Sequence, residues 1–302
     1  MPYSNTLRSD ETGEQMQAVQ RQAGPALRVV DSGKEMPPAL QRACGTAEIS
    51  FKRRGEQTVL DHLHQSGCIK VRRPKGEPEA ILINTAGGLT DGDHLEASCT
   101  WSEGTAATVA TQTCERVYRS RAGTASIEAR LKVHKGAEAA WLPQETILFD
   151  GGRLARHTRV DLHGNARLLT CEAVILGRPA MGERVSSGVL SDFWTIRRDG
   201  KLVFADRFAL QENPSGQMDR LALGNGARAW ATILLCARNL ETESEKLAQM
   251  LSDLGTPAGC SNLGEVLLIR VLARSGYALR KSTTKILEAI PGSPALPRVW
   301  SI

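Results

Sequence analysis

At 302 residues and 41% hydrophobic, the chain can bury one sizeable core, and β-rich folds commonly use about 200 to 250 residues as a single domain. Its 38 basic and 33 acidic residues leave a formal charge of +5, spread without the Lys/Arg blocks and aromatic interleaving of a nucleic-acid binder. Seven scattered cysteines, never spaced as C-x-x-C, exclude a disulfide framework or structural zinc, and no apolar run marks a signal peptide or membrane span, so a cytoplasmic protein is expected.

From residue 1 to about residue 40 the sequence is polar, carries Pro37-Pro38 and shows no sustained period, which predicts a disordered tail ahead of a single β-rich domain over 41–302. His62-x-His64 then places two imidazoles on one face of a strand. With no third ligand nearby in sequence, a solvated strand face accounts for them better than a metal site.

Ala80 to Ile83 reads as a short buried strand. It leads into Asn84-Thr85-Ala86-Gly87-Gly88-Leu89-Thr90-Asp91-Gly92-Asp93, the densest cluster of glycines and small oxygen donors in the chain. This segment lacks both the Gly-Lys-Ser/Thr ending and the G-x-G-x-x-G spacing of phosphate loops, so a tight strand-to-strand connection is the ordinary reading.

Strict alternation follows. Leu95, Ala97, Cys99 and Trp101 share one face, and Ala125, Ile127, Ala129, Leu131 and Val133 share another face between Thr124 and Lys135, a pattern only extended strands can sort. Ala173 to Leu176 reads as a further buried strand, and Asp199-Gly200 between Trp194-Thr195-Ile196 and Leu202-Val203-Phe204 predicts a type I′ hairpin. Helical period appears only late. Leu247, Met250, Leu251 and Leu254 form a stripe closed by Gly255, and Asn262 with Glu265 is read as the cap of a second helix through Ala273. The class is mainly β with a small C-terminal helical part, and no internal repeat of fixed period is present.

The acidic residues Glu115, Glu145, Asp150 and Glu172 recur beside apolar strands. Ion pairs with nearby Arg116, Arg119, Arg153 and Arg178 are the ordinary explanation, because an unpaired buried carboxylate is costly. No G-x-S-x-G elbow and no recognisable protease or redox cysteine is present. A metal-dependent hydrolase would have to use the Asp91-Gly92-Asp93 loop with these carboxylates.

In order along the chain, NTAGGLTDGD (Asn84 to Asp93), TQTCERVYRS (Thr111 to Ser120), WLPQETILFDGG (Trp141 to Gly152), CEAVILGRPAMGE (Cys171 to Glu183) and WTIRRDGKLV (Trp194 to Val203) together resemble the UreD/UreH urease accessory family. The resemblance is strong from about Phe51 to Phe208 and weaker beyond. It implies many short strands in a β-helix-like or rolled two-layer arrangement. It also implies a non-catalytic scaffold that binds apo-urease with UreF-like and UreG-like accessory proteins, and through which nickel passes.

A conduit must release its ion, which favours weak oxygen donors over His or Cys clusters. On that footing no tight metal site or bound cofactor is expected, only Ni²⁺ in transit, and Thr111, Gln112, Glu115, Glu145, Asp150 and Glu172 are the candidates for the path. Gly87, Gly88 and Gly92, with Asp93, would shape a loop beside it. Arg116, Tyr118 and Arg119 would position strands or meet a partner.

Overall fold

The structure, a computed structural model, describes residues 41–178 and 181–301. The expected N-terminal tail lies outside them. In chain order the strands are β1 (Cys44–Arg54), β2 (Gln57–Gly67), β3 (Ile69–Arg72), β4 (Glu79–Asn84), β5 (His94–Trp101), β6 (Ala106–Thr111), β7 (Glu115–Val117), β8 (Ala125–Val133) and β9 (Glu138–Leu142). They continue as β10 (Thr146–Leu148), β11 (Arg153–Leu162), β12 (Arg167–Leu176), β13 (Val189–Arg198), β14 (Lys201–Gln211), β15 (Ala229–Cys236), β16 (Ala258–Asn262) and β17 (Val266–Ala273). Helices α1 (Pro214–Asp219), α2 (Glu241–Leu251) and α3 (Gly276–Ala289), with a 3-10 turn at Arg298–Ser301, complete the described elements.

The middle of the chain winds as a solenoid. Successive coils contribute β5, β8, β11 and β13 to one parallel sheet, and β4, β6, β9 and β12 to the other. A third, short parallel ladder joins Leu89, β7, β10 and the end of β12. Antiparallel strands finish both sheets: β2 beside β1 and β14 beside β13 in the first, β3 beside β4 and β15, β17 and β16 beyond β12 in the second. The expected β-helix-like fold is thus present, with 51% strand and 14% helix.

Register explains why no repeat is visible in the sequence. Ala97 lies beside Ala129, Leu131 beside Val160 and Val160 beside Ile196, offsets of 32, 29 and 36 residues. Coils of unequal length stack as well as equal ones if each strand keeps its inward parity, because the sheets are held by main-chain bonds and by the apolar face, not by a fixed period.

The alternating strands deliver that face. Ala97, Cys99, Trp101, Ala129, Leu131 and Val133 are all buried between the sheets, and the Trp101 indole N–H donates to the Ala107 carbonyl at 2.9 Å, so its polar atom is satisfied. A second core lies on the outer side of the β9, β12, β15 and β17 strands, where Leu247, Leu279, Ile286 and Leu287 of α2 and α3 cover Leu169, Cys171, Ile233 and Ile269.

The hairpin at Asp199-Gly200 forms as expected between β13 and β14, with φ of 48° and 79° at the two turn residues. The helix read through Ala273 does not form. Val266–Ala273 is the inner strand β17, paired on both sides by β15 and β16, with Leu267, Ile269, Val271 and Ala273 buried on one face and Leu268, Arg270 and Leu272 more open on the other, and a short run that is apolar except for Arg270 carries little period that separates strand from helix. The helix begins one element later, where the Ser275 hydroxyl accepts from the Ala278 N–H and opens α3.

Candidate functional site

Two columns of inward side chains decide where the solenoid is open. Across β5, β8, β11 and β13 one column runs Ala97, Ala129, Thr158, Trp194, and its neighbour runs Leu95, Ile127, Arg156, Asp192. Two alanines and a threonine leave space that larger side chains fill elsewhere in the core, and Trp194 ends the column.

That space is a cavity of about 140 Å³, lined on its far side by Trp141 of β9, Thr146 of β10 and Glu172 of β12. The volume is well above the roughly 10–15 Å³ needed to hold a water molecule. The connection from Thr111 to Arg116, with Asn84 and Gly87, forms its solvent-exposed end. Trp141, Thr146, Arg156, Thr158 and Glu172 form its buried end.

Near the mouth, the Glu115 carboxylate accepts from Asn84 Nδ2 at 3.1 Å on both oxygens and from the Arg116 N–H at 3.2 Å. Burial raises its pKa, and these donors only partly counter that. At the floor Arg156 is held between two acids. Its Nε and Nη2 donate to Asp192 at 3.0 and 2.6 Å, its Nη1 lies 2.5 Å from Glu172 Oε2, and Nη1 also donates to Thr146 Oγ1 at 3.3 Å. Glu172 Oε1 accepts from the Trp141 indole N–H at 3.2 Å.

Burial disfavours the Arg156 charge, but Asp192 and Glu172 more than offset it and keep the guanidinium protonated. One cation serves two carboxylates here, so Glu172 is under-compensated and burial pushes its pKa up. The buried thiols Cys99 and Cys171 are also pushed far up, and Cys236 is pushed up to about 12, so none is a ready thiolate.

Of the six residues read as a path, Thr111, Gln112, Glu115 and Glu172 line this one cavity. Glu145 and Asp150 sit elsewhere. The Glu145 carboxylate is 2.6 Å from Arg280 Nη2 on α3, and Arg280 also bonds Gln144 and lies 4.5 Å over the Trp300 ring, so the group clamps the C-terminal helix to the coil. Asp150 pairs with Arg119 and takes four donors from Ser186 and Ser187. Burial pushes its carboxyl up, but those bonds and the Arg119 charge prevail and hold it below the usual range.

The loop glycines sit where backbone demands them. Gly87, Gly88 and Gly92 all have positive φ, and a Cβ on Gly88 would lie 2.3 Å from the Tyr118 ring and 2.8 Å from the Arg116 carbonyl. Tyr118 is partly exposed and packs on Phe149 at 5.2 Å.

A model of the UreD urease accessory protein family matches residues 43–301. The urease accessory protein UreD of Chelativorans sp. (strain BNC1) is 45% identical over 271 residues, covering 88% of this chain and 96% of the relative. UreD 1 of Brucella melitensis biotype 1 is 39% identical, and UreD of Rhizobium etli 38%, each over 87% of this chain and 96% of its own length. The chain belongs to the UreD urease accessory protein family.

UreD-family proteins serve urease maturation and are not themselves catalytic, which removes the hydrolase alternative. Asp91 Oδ1 is taken by the Ala122 and Gly123 N–H groups at 2.9 Å, and Asp93 by those of Ala43 and Thr90 at 2.8 Å, so both acids lock main-chain turns. His62 faces Glu48 at 3.9 Å on an exposed strand surface, and among the described residues no three His, Cys, Asp or Glu side chains are grouped to hold a metal ion. No helix among the described residues is long and apolar enough to cross a membrane.

Sequence reasoning missed Arg156, Thr158 and Asp192. The signal was present: Leu154, Arg156, Thr158, Val160 and Leu162 alternate, as do Leu190, Asp192, Trp194 and Ile196, which puts an arginine and an aspartate on apolar faces. The partners of Glu145 and Glu172 are Arg280 and Arg156, neither of them among the nearby arginines first considered.

Proposed function

We propose that this chain works in the cytoplasm as a non-catalytic scaffold, binding apo-urease together with UreF-like and UreG-like accessory proteins, and that nickel in transit passes through its internal cavity. The observation that carries this reading is the cavity's lining: the Thr111 hydroxyl, Gln112 amide and Glu115 carboxylate near the exposed end, and the Thr158 hydroxyl and Glu172 carboxylate at the buried end.

Oxygen donors spaced along a passage suit transit. Imidazole and thiolate clusters hold nickel tightly, whereas a divalent ion passed between single carboxylates and hydroxyls keeps part of its water shell and leaves easily. Glu115 and Glu172 supply negative charge at the two ends, and Ala97 and Ala129 keep the way between them open.

The test is nickel-dependent activation of apo-urease by the complex of this chain with its accessory partners. Glu172→Gln keeps the side chain's shape and its bond to Trp141, so the partners should still copurify while activation falls at least tenfold. Normal activation by Glu172→Gln refutes passage through the floor of the cavity.

A further inference from the structure

The buried end of the cavity is one positive charge short. Arg156, Glu172 and Asp192 are 4, 4 and 6% exposed, and a single guanidinium there faces two carboxylates. Buried carboxylates without a matching cation are costly and attract one.

The sharing is unequal. Asp192 takes two parallel bonds from Arg156 Nε and Nη2, the two-point arrangement that guanidinium groups make best, while Glu172 receives Nη1 alone. Rotation of the Glu172 carboxylate alone, with the rigid guanidinium held in place, therefore frees Glu172 and leaves the Asp192 pair intact. A second observation points to a ligand at the same place. Thr158, two residues along β11 and inward like Arg156, lines the cavity at 0% exposure, and its Oγ1 has no hydrogen-bond partner among the described residues. A buried hydroxyl in that state is unusual in a folded protein.

We infer that Arg156 is an internal counter-cation: a divalent cation entering the cavity takes Glu172 Oε2 from Arg156 and binds the unpartnered Thr158 hydroxyl as well, and the return of Arg156 to Glu172 expels the ion. Arg156 is thus a positioning residue that keeps occupancy of the floor brief. The inference rests on the transit reading, and it supplies what that reading needs, because a free buried carboxylate beside an open hydroxyl would hold the ion instead of passing it.

The test uses the full chain and Ni²⁺ itself, followed by equilibrium dialysis and by thermal melts with and without the metal. Removing the competitor in Arg156→Met should tighten Ni²⁺ binding at least tenfold, and Glu172→Gln in that background should abolish the gain. If Arg156→Met is unstable without metal, Ni²⁺ should restore its melting temperature saturably, since the ion takes the place of the lost charge. A variant whose Ni²⁺ affinity stays within twofold of the parent, or which nickel fails to rescue, overturns the inference.

Asp192→Asn gives an independent arm. It leaves Arg156 only Glu172 to pair with, so the nickel concentration for half-maximal urease activation should rise at least tenfold with the partner complexes intact, and an unchanged value refutes the exchange. Failure of the whole transit reading looks different: Glu172→Gln then activates urease normally, whatever the Arg156 variants bind.

Discussion

Ala129→Leu separates passage from stability. Ala129 sits mid-column between Ala97 and Thr158, and its Cβ faces a cavity of about 140 Å³. At about 24 cal/mol per Å³ a dry cavity of that volume would cost the fold about 3 kcal/mol, an upper limit here because one end is open to water. A leucine that fills a third of it should return about 1 kcal/mol, which raises the melting temperature by roughly 2–4 °C in a domain of this size. The same side chain blocks the line between Glu115 and Glu172.

The expected result is therefore a protein as stable as the parent or more so, still able to bind its partners, with nickel-dependent urease activation reduced at least tenfold. Thermal melts, copurification and activation are measured on one preparation. If the leucine overpacks the core and lowers the melting temperature, Ala97→Val, smaller and one coil away, repeats the test. A stable variant that activates urease normally refutes the assignment of the cavity as the route.

Two further outcomes follow from the carboxylates. Burial lifts the Glu115 pKa above its ordinary value of 4.5, so the ionised group costs stability at neutral pH and costs none below its unfolded value; Glu115→Gln should raise the melting temperature at about pH 7 and leave it unchanged at about pH 4. A gain of equal size at both pH values shows that desolvation of the charge is not the cause. Glu145→Ala leaves Arg280 without its carboxylate, and with Arg280 still 22% exposed the cost should lie at the lower end for broken buried pairs, about 3 kcal/mol in urea unfolding. Adding Arg280→Met should recover part of that loss, whereas equal destabilisation in the double variant contradicts the ion-pair account.

Much of the fold was legible because strand parity is a local property. Leu95 to Trp101 and Ala129 to Val133 alternate in the sequence as they alternate in burial, and Asp199-Gly200 is one of the few pairs that accepts positive φ twice. Family membership was legible because five motifs follow one another along the chain in the order and spacing of the family.

Tertiary structure alone decided the rest. Val266 to Ala273 carries little period to separate strand from helix, and it is a strand because the sheet offered it partners on both sides. The cavity is a property of a column, and a column joins residues 29 to 36 positions apart with no fixed period, so Ala97, Ala129 and Thr158 give no joint signal in one sequence. The pairing of Glu172 with Arg156, and of Glu145 with Arg280 across 135 residues, is likewise set by which coils stack and where α3 docks. Local chemistry named the carboxylates; only their neighbours in space distinguish Glu172, which faces the cavity, from Glu145, which holds a helix in place.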